Sequence, residues 1–472
     1  MTVLGGGLAG LASAVLAASR GEQVVLYEAD RLGGKSARPE LQGNQIDLGP
    51  SLFAFPAVWQ QLAERLQRRG TQVSSPDFLP LGSLGLHLWR GERIWLPVQP
   101  GQRYFADWQR YAAATSALGE PLETLLVTPP GPDRRFLQAS LALGLGLRAL
   151  RPAGFLGRLD LPTALEVAIG IHGFNAGVGP EQGSALHAAL PGAMLAPGRL
   201  AVPQGGVYAL VESLRSAASR LGVTVLEGSP VRAVDLHRRR LEVRGGSDPF
   251  DLLIAAIDTD RWRQLVGSPL RREALSCSGV SLHGLTPALD LPHQTVLIPD
   301  SPQRAGRDLL AGREPHQTLV VIQYWPPGSP AHPHNSSGVL SVLLTAPPNG
   351  RHYRGEEPWL RRQLAWAELE TGWPLRSWLD LGVLLSPGSL ARAGAPGGAI
   401  YGRSYPPWRS GPLHPEPWRW PGAPGVVRVG SGLHPGGGVP AVLGGALMLD
   451  QRLQKWSPRK RPGRSSPLEA PP

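Results

Sequence analysis

A chain of 472 residues, 42% hydrophobic and 18% charged, is long enough for two domains and too apolar to be disordered. Its 60 glycines and 49 prolines show no three-residue period, which excludes collagen and favours a loop-rich globular enzyme. The single cysteine, Cys277, excludes an internal disulfide, a multi-cysteine zinc site, an iron–sulfur cluster and a dithiol centre, so any redox chemistry must belong to a cofactor. The formal charge of +11 raises nucleic acid or an anionic membrane surface as partners. Five of the basic residues (Lys455, Arg459, Lys460, Arg461 and Arg464) lie in the tail, against Glu469 alone. The remainder is only mildly basic, and no nucleic-acid partner is expected. Lysine occurs only at 35, 455 and 460, which reads as an arginine-biased composition ahead of phosphate recognition.

No basic or apolar leader precedes the first motif at Gly5, so a cytoplasmic location is expected. Thr2, Val3 and Leu4 form a short apolar strand, Gly5-x-Gly7-x-x-Gly10 the turn, and residues 11–20 an Ala/Leu-rich helix. A second strand over 23–27 ends at Glu28. Gly5 permits the tight turn, Gly7 lets the backbone approach a pyrophosphate, and Gly10 lets helix and strand pack closely. Leu8 and Ala9 stand in the first turn of the helix, where free N–H groups and the positive dipole end favour a diphosphate. Glu28, 18 residues after Gly10, is placed to accept hydrogen bonds from a ribose diol. This fingerprint alone does not choose between NAD and FAD.

Three further stretches bear on that choice: Leu32-Gly33-Gly34-Lys35 directly after strand two, Asp47-Leu48-Gly49-Pro50-Ser51 after an expected hairpin, and Gly430-Ser431-Gly432-Leu433-His434-Pro435-Gly436-Gly437-Gly438-Val439-Pro440. The last follows a strand over 426–429 and opens a helix at Val439. On these residues the chain resembles the flavin-dependent amine oxidase superfamily and, within it, the phytoene desaturase (carotenoid desaturase) branch. The resemblance implies an α/β fold: a Rossmann-like FAD-binding domain of the glutathione-reductase type, built from discontinuous segments, with a second mixed sheet-plus-helix substrate lobe. It implies FAD as cofactor, held in part by Gly34, Lys35, Gly49 and Pro50. The element carrying Gly430, Ser431, Gly438 and Val439 would approach the ribityl chain and the isoalloxazine edge. Lys35 departs from the commoner arginine of the Gly-Gly turn; it keeps the charge and loses the bidentate fork.

Val202-Pro203-Gln204-Gly205-Gly206, a helix over 207–221, a strand over 223–226 and Val231-Arg232-Ala233-Val234 resemble the family stretch in which a valine backbone, here Val231, holds the adenine. A hairpin near 238–240 leads to a strand over 252–256. The FAD-binding domain is thus expected from residues 1–75, 200–275 and 422–456, the substrate and membrane-facing domain from 76–199 and 276–421, and a disordered basic tail over 457–472.

Across the second lobe the apolar stretches 137–147, 164–173 and 185–195, with strand-like 319–325 and 339–344, suit an apolar tunnel as well as an ordinary core. Stretch 137–147, bounded by Arg134, Arg135 and Arg148, reads either as a helix lying in a membrane interface or as a buried core helix. Residues 429–449 are uncharged and long enough to span a bilayer, but Pro435, Gly436, Gly437, Gly438 and Pro440 would break a spanning helix, leaving a strand–loop–helix. Nine of the 14 tryptophans fall between 325 and 456, among them Trp408, Trp418 and Trp420; they suit channel walls, a membrane interface or loop anchors. Residues 167–180 and 182–198 carry no charge, with Glu181 alone between them. That suits a hydrocarbon better than a cationic amine, which calls for an aromatic cage or a carboxylate.

His332-x-His334, with His352 nearby, is interrupted by Pro333 among Pro, Asn and Ser, which reads as a surface loop and not a metal site. His434 is either a proton carrier or a turn residue. No Ser-His-Asp order or nucleophile elbow is present, so no catalytic side chain is assigned and the flavin would do the chemistry. The resemblance implies an FAD-dependent oxidoreductase introducing C=C bonds into a carotenoid or related long isoprenoid. A water-insoluble substrate entails peripheral contact with a membrane, and the electron acceptor is not named by the sequence. Two alternatives stand. One is a redox-neutral carotenoid isomerase or another enzyme of the superfamily, such as an oxidase of an amine or a hydroxylated triterpene. The other is a non-catalytic isoprenoid-binding protein on the same fold, as in the Rab GDP-dissociation inhibitors.

Overall fold

The computed structural model describes residues 1–379, 382–409 and 413–455, at Asn175 the backbone alone. The basic tail expected over 457–472 lies outside these residues. The strands of the two large sheets are, in chain order, β1 (Thr2–Leu4), β2 (Val25–Tyr27), β3 (Gly85–Trp89), β4 (Glu92–Leu96), β5 (Thr224–Leu226), β6 (Leu253–Ala255), β7 (Ser278–Thr286), β8 (Gln294–Leu297), β9 (Val320–Trp325), β10 (Gly338–Ala346), β11 (Val383–Leu385) and β12 (Val426–Arg428). The helices that matter here are α1 (Leu8–Ala18), α2 (Arg134–Leu147), α3 (Tyr208–Arg220), α4 (Pro358–Thr371) and α5 (Val439–Lys455).

The first sheet is parallel throughout, in the order β5-β2-β1-β6-β12, with Thr2 opposite both Val25 and Leu253, and Leu253 opposite Val426. β1, β6 and β12 are buried at every residue, as parallel strands covered on both faces must be. Their segments come from three distant parts of the chain. α1 is buried on all sides, which its small residues, Ala above all, permit, and it packs against α3 and α5. Because α1 follows β1 and α5 follows β12, both helices start at the carboxyl edge of this sheet. That edge, where strand order runs outward in both directions from β1, is where ligands of open α/β sheets bind.

The second sheet has the order β11-β7-β10-β9-β8-β3-β4 and is antiparallel except for the parallel pair β8 and β3. One face is apolar: Leu88, Val280, Ile322, Leu340 and Val342 pack on Trp359 and Leu360 of α4. Gly372 ends α4 in the left-handed region at φ 74°, a conformation glycine adopts without strain. The opposite face is more polar and less covered, and belongs to the site.

The stretch 137–147 forms a helix with one apolar row buried and another exposed. Asp133 caps α2 by accepting the N–H groups of Arg135 and Phe136. Phe136, Ala139 and Leu143 point into the core, while Leu137, Leu141 and Leu145 on another face are 54%, 63% and 59% exposed. Among the described residues no helix is long and apolar enough to cross a membrane. Stretch 429–449 begins just after β12 and divides into a glycine turn and most of α5.

Candidate functional site

Close packing explains the first glycine turn. A Cβ on Gly10 would lie 1.9 Å from the Gly5 carbonyl oxygen, and one on Gly5, whose φ is +103°, 2.7 Å from the carbonyl oxygen of Ala256. Gly7 differs: its φ of −72° is ordinary and a Cβ would meet nothing within 4 Å. It caps α1 without a side-chain bond, and the first turn closes only with the N–H of Leu11 on the Gly7 carbonyl. The N–H groups of Leu8, Ala9 and Gly10 precede that bond and are left for a ligand. Gly33 bridges Gly7, and a Cβ on Gly34 would come 3.3 Å from the Gly7 Cα. A Cβ on Gly49 would lie 2.4 Å from the Lys35 carbonyl oxygen, so the Gly34–Lys35 turn and the Gly49–Pro50 segment form one wall.

The C-terminal turn reaches the same edge. A Cβ on Gly430 would sit 4.0 Å from the Ile257 carbonyl, just beyond β6, whereas Gly436 and Gly438 would project theirs into open space at φ +123° and +93°. Gly437 is overlaid by the Tyr401 ring, 2.0 Å from where its Cβ would stand. Ser431 is half-buried and Val439, first residue of α5, buried. Val231 is buried beside β1 and β2; its carbonyl receives Arg261 Nη2 at 3.4 Å, and two residues earlier Ser229 donates its N–H to the Glu28 carbonyl. The expected site residues are therefore brought to one edge of one sheet, Val231 at its flank.

Two acids and one lysine set the charge there. Glu28 accepts the N–H of Gly6 on Oε2 at 2.6 Å and that of Asp30 on Oε1 at 2.9 Å, and stays half-exposed with lone pairs to spare. Lys35 is exposed as a residue, and its ammonium reaches back to donate to the Ile400 carbonyl. Burial pushes that ammonium below the usual lysine range, with Asp258 pulling the other way. Asp258 follows β6; one carboxylate oxygen accepts the N–H of Asp260 at 2.9 Å and the other is buried without a protein partner. Burial raises its carboxyl, and Lys35 lowers it. Asp258 was not picked out from sequence; its signal was an acid directly after a short apolar strand, visible only once 253–255 is known to pair with β1.

The other sequence candidates divide. Among the described residues no cluster of His, Cys, Asp and Glu could hold a metal. His334 and His352 are exposed, but His332 is 4% exposed, which corrects its reading as part of a surface loop: the segment folds under and Ala331 packs with Trp325 and Val339. Trp420 stands edge-on to Trp262 at 5.7 Å with Arg263 and Arg428 against it, and Arg452 covers Trp418, so these two rings anchor a loop; Trp408 is 53% exposed. Cys277 is buried, and burial pushes its thiol up to about 12, which leaves it protonated and inert.

The less covered face of the second sheet adjoins this edge at two points. Ser51 donates to Gln323 Oε1 on β9 at 2.7 Å, and Ile400, whose carbonyl binds Lys35, lies beside Gly279 on β7. Leu343, on a central strand, is 37% exposed, and Val321, Gln323 and Ser341 are half-buried. This face is thus only partly covered, and no charged side chain projects from it along β7, β10, β9 and β8.

A dinucleotide-binding α/β fold joined to a second, mostly antiparallel sheet sets the architecture, and comparison with known proteins supplies the class, an oxidoreductase. Residues 3–66 match the model of the NAD(P)-binding Rossmann-like domain family. The chain is similar over nearly its whole length to carotenoid desaturases: it is 26% identical to the phytoene dehydrogenase of Streptomyces griseus, covering 99% of this chain and 98% of that protein. It is 26% identical to the hydroxyneurosporene desaturase of Rubrivivax gelatinosus, over 95% and 92% of the two chains. It is 23% identical to the 4,4'-diapolycopen-4-al dehydrogenase of Metabacillus indicus, over 98% and 99%. Among solved structures, putrescine oxidase bound to putrescine superposes with a TM-score of 0.63 at 14% identity over 96% and 97% of the chains. A fatty acid isomerase from P. acnes that produces CLA does so with 0.58 at 15% identity over 96% and 97%. These two show a shared fold. The chain is a carotenoid-desaturase-like oxidoreductase.

Proposed function

We propose that the protein is an FAD-dependent oxidoreductase that introduces C=C bonds into a carotenoid or related long isoprenoid. The observation that carries this is the pairing of two glycine turns, open where Gly7, Gly436 and Gly438 would project a Cβ, with an uncharged, partly covered sheet face. Residues 1–75, 200–275 and 422–456 would hold the cofactor, and 76–199 and 276–421 the substrate. The N–H groups of Leu8, Ala9 and Gly10 and the Lys35 ammonium suit a diphosphate. Glu28 suits ribose hydroxyls, the Val231 backbone the adenine, and Gly430, Ser431, Gly438 and Val439 the flavin end. Bound FAD supplies a hydride acceptor. Desaturation breaks two C–H bonds on adjacent carbons, releasing a hydride and a proton, and the uncharged sheet face keeps a hydrocarbon beside the acceptor without burying an unpaired charge. With Cys277 buried and protonated, the cofactor would be held without a covalent bond.

The exposed leucines of α2, flanked by Arg134, Arg135 and Arg148, fit a helix resting in a bilayer surface from which a water-insoluble substrate is drawn. The deciding experiment is to purify the protein, release the chromophore by heat, and mix the holoprotein anaerobically with acyclic polyenes. A yellow supernatant and bleaching by polyene are expected. Turnover only after prior reduction would make it an isomerase, and a colourless, NADP-dependent protein would overturn the reading.

A further inference from the structure

Register places four polar side chains side by side across the middle of the open sheet face. His283 of β7 lies opposite Ser341 of β10, Ser341 opposite Gln323 of β9, and Gln323 opposite Gln294 of β8. They are hydrogen-bonded in two short chains. His283 Nε2 meets the Ser281 hydroxyl and its Nδ1 meets Ser341 Oγ at 2.8 Å. Ser51 donates to Gln323, Gln323 to Gln294 at 3.0 Å, and Gln294 to the Leu84 carbonyl at 2.7 Å. Two residues along each strand, on the same face, the row is flanked by Leu343, Val321 and Val296 toward one end, where β7 adds Ser281, and by Leu285, Val339 and the Trp325 ring toward the other. The second flank is closed, with Trp325 and Val339 buried against Ile46 and Val202; the first is open at Leu343. Beside the row stands His332, buried and with neither ring nitrogen bonded to protein, close enough to depress the His283 imidazole electrostatically.

A pure hydrocarbon has no use for such a row. Seated against it, a hydrocarbon would strip water from Ser341 and Gln323 and return nothing, whereas a site built to hydrogen-bond an oxygen discriminates strongly against the analogue lacking it. Burial keeps His283 uncharged, so its proton can sit on either nitrogen. With the proton on Nδ1, Ser341 is free to donate outward; with it on Nε2, Ser341 donates inward and accepts from outside. That versatility fits a group that both donates and accepts, or accepts alone. Resting on the proposed desaturase reading, we infer that the substrate carries an oxygen function, a hydroxyl or carbonyl near one end of the isoprenoid chain. That oxygen docks at Ser341 and Gln323 while the hydrocarbon extends over Val321 and Leu343.

The test uses the holoprotein with a matched pair, an acyclic polyene and its terminally hydroxylated counterpart, and reads two quantities: equilibrium binding from the polyene absorption shift, and flavin bleaching. Tighter binding of the hydroxylated polyene by about tenfold or more, the scale of one hydrogen bond, is expected. That ratio should fall toward one in Ser341→Ala and persist in Ser341→Thr, which keeps the hydroxyl and controls for folding. Equal binding of the two polyenes by the wild-type protein, or an unchanged ratio in a flavin-loaded Ser341→Ala, overturns the inference. If neither polyene bleaches the flavin the desaturase reading falls, and the binding ratio still decides this one.

Discussion

Gly7 and Gly10, three positions apart, have opposite surroundings. A methyl on Gly10 would overlap the Gly5 carbonyl, so Gly10→Ala must separate β1 from α1; one on Gly7 enters empty space with an ordinary φ. Gly10→Ala is therefore expected to lower the melting temperature sharply. Gly7→Ala should melt like the parent or slightly higher, because alanine restricts the unfolded chain, while losing flavin. Equal flavin content in Gly7→Ala and the parent would mean that the diphosphate does not lie against α1. Glu28 offers a second check at the same edge. Its removal takes away the acceptor for a ribose diol and leaves the Gly6 N–H unpartnered, so Glu28→Ala should weaken flavin binding by about 1–3 kcal/mol, read by fluorescence titration. A loss much below that range would assign the carboxylate to the turn alone.

Among the elements, α2 shows what a sequence can and cannot disclose. Its two apolar rows, Phe136, Ala139 and Leu143 against Leu137, Leu141 and Leu145, appear in the sequence as one apolar run, and periodicity alone does not say which row faces inward. The β1–α1–β2 unit was legible because its glycines answer local steric demands that recur wherever a strand turns into a helix over a phosphate. The row of His283, Ser341, Gln323 and Gln294 was not, since it arises from the register of four strands separated by long connections. Asp258 became readable only through the pairing of β6 with β1. The outward row of α2 makes a direct prediction. Replacing Leu137, Leu141 and Leu145 together by Gln should leave stability within about 0.5 kcal/mol, as for surface substitutions elsewhere. It should also abolish most sedimentation with vesicles, where each leucine inserted contributes on the order of 1 kcal/mol. Removing residues 455–472 should reduce binding to anionic vesicles alone, by about 1 kcal/mol per basic residue. If the triple variant sediments with vesicles like the parent, α2 is not the docking helix.

Across the whole molecule, buried histidines set the response to acid. His172, His187, His283 and His414 are each pushed down to about 4, mainly by burial, and His87 is held well below its ordinary value by burial and by His172, whose Nε2 is 3.0 Å away. Each is neutral when folded at a pH where the unfolded chain, titrating near 6.5, takes up a proton. The unfolded state then binds more protons, so stability is fully present above about pH 6.5 and is lost as pH falls toward 4, at about 1.4 kcal/mol per pH unit for each such histidine. Carboxylates do not account for this window. Glu416, buried yet held by Arg271 and Arg428 down to about 2, contributes stability that declines only below about pH 4.5. Melting temperature should therefore be nearly constant from pH 8 to 7 and fall steeply from pH 6.5 to 4.5. His187→Leu, which removes the acceptor for the Ser184 N–H at 3.1 Å, should be less stable at pH 7 and show a shallower slope, by about 1.4 kcal/mol per pH unit. A flat profile between pH 6.5 and 4.5 would mean that these imidazoles are hydrated and titrate normally in the folded protein.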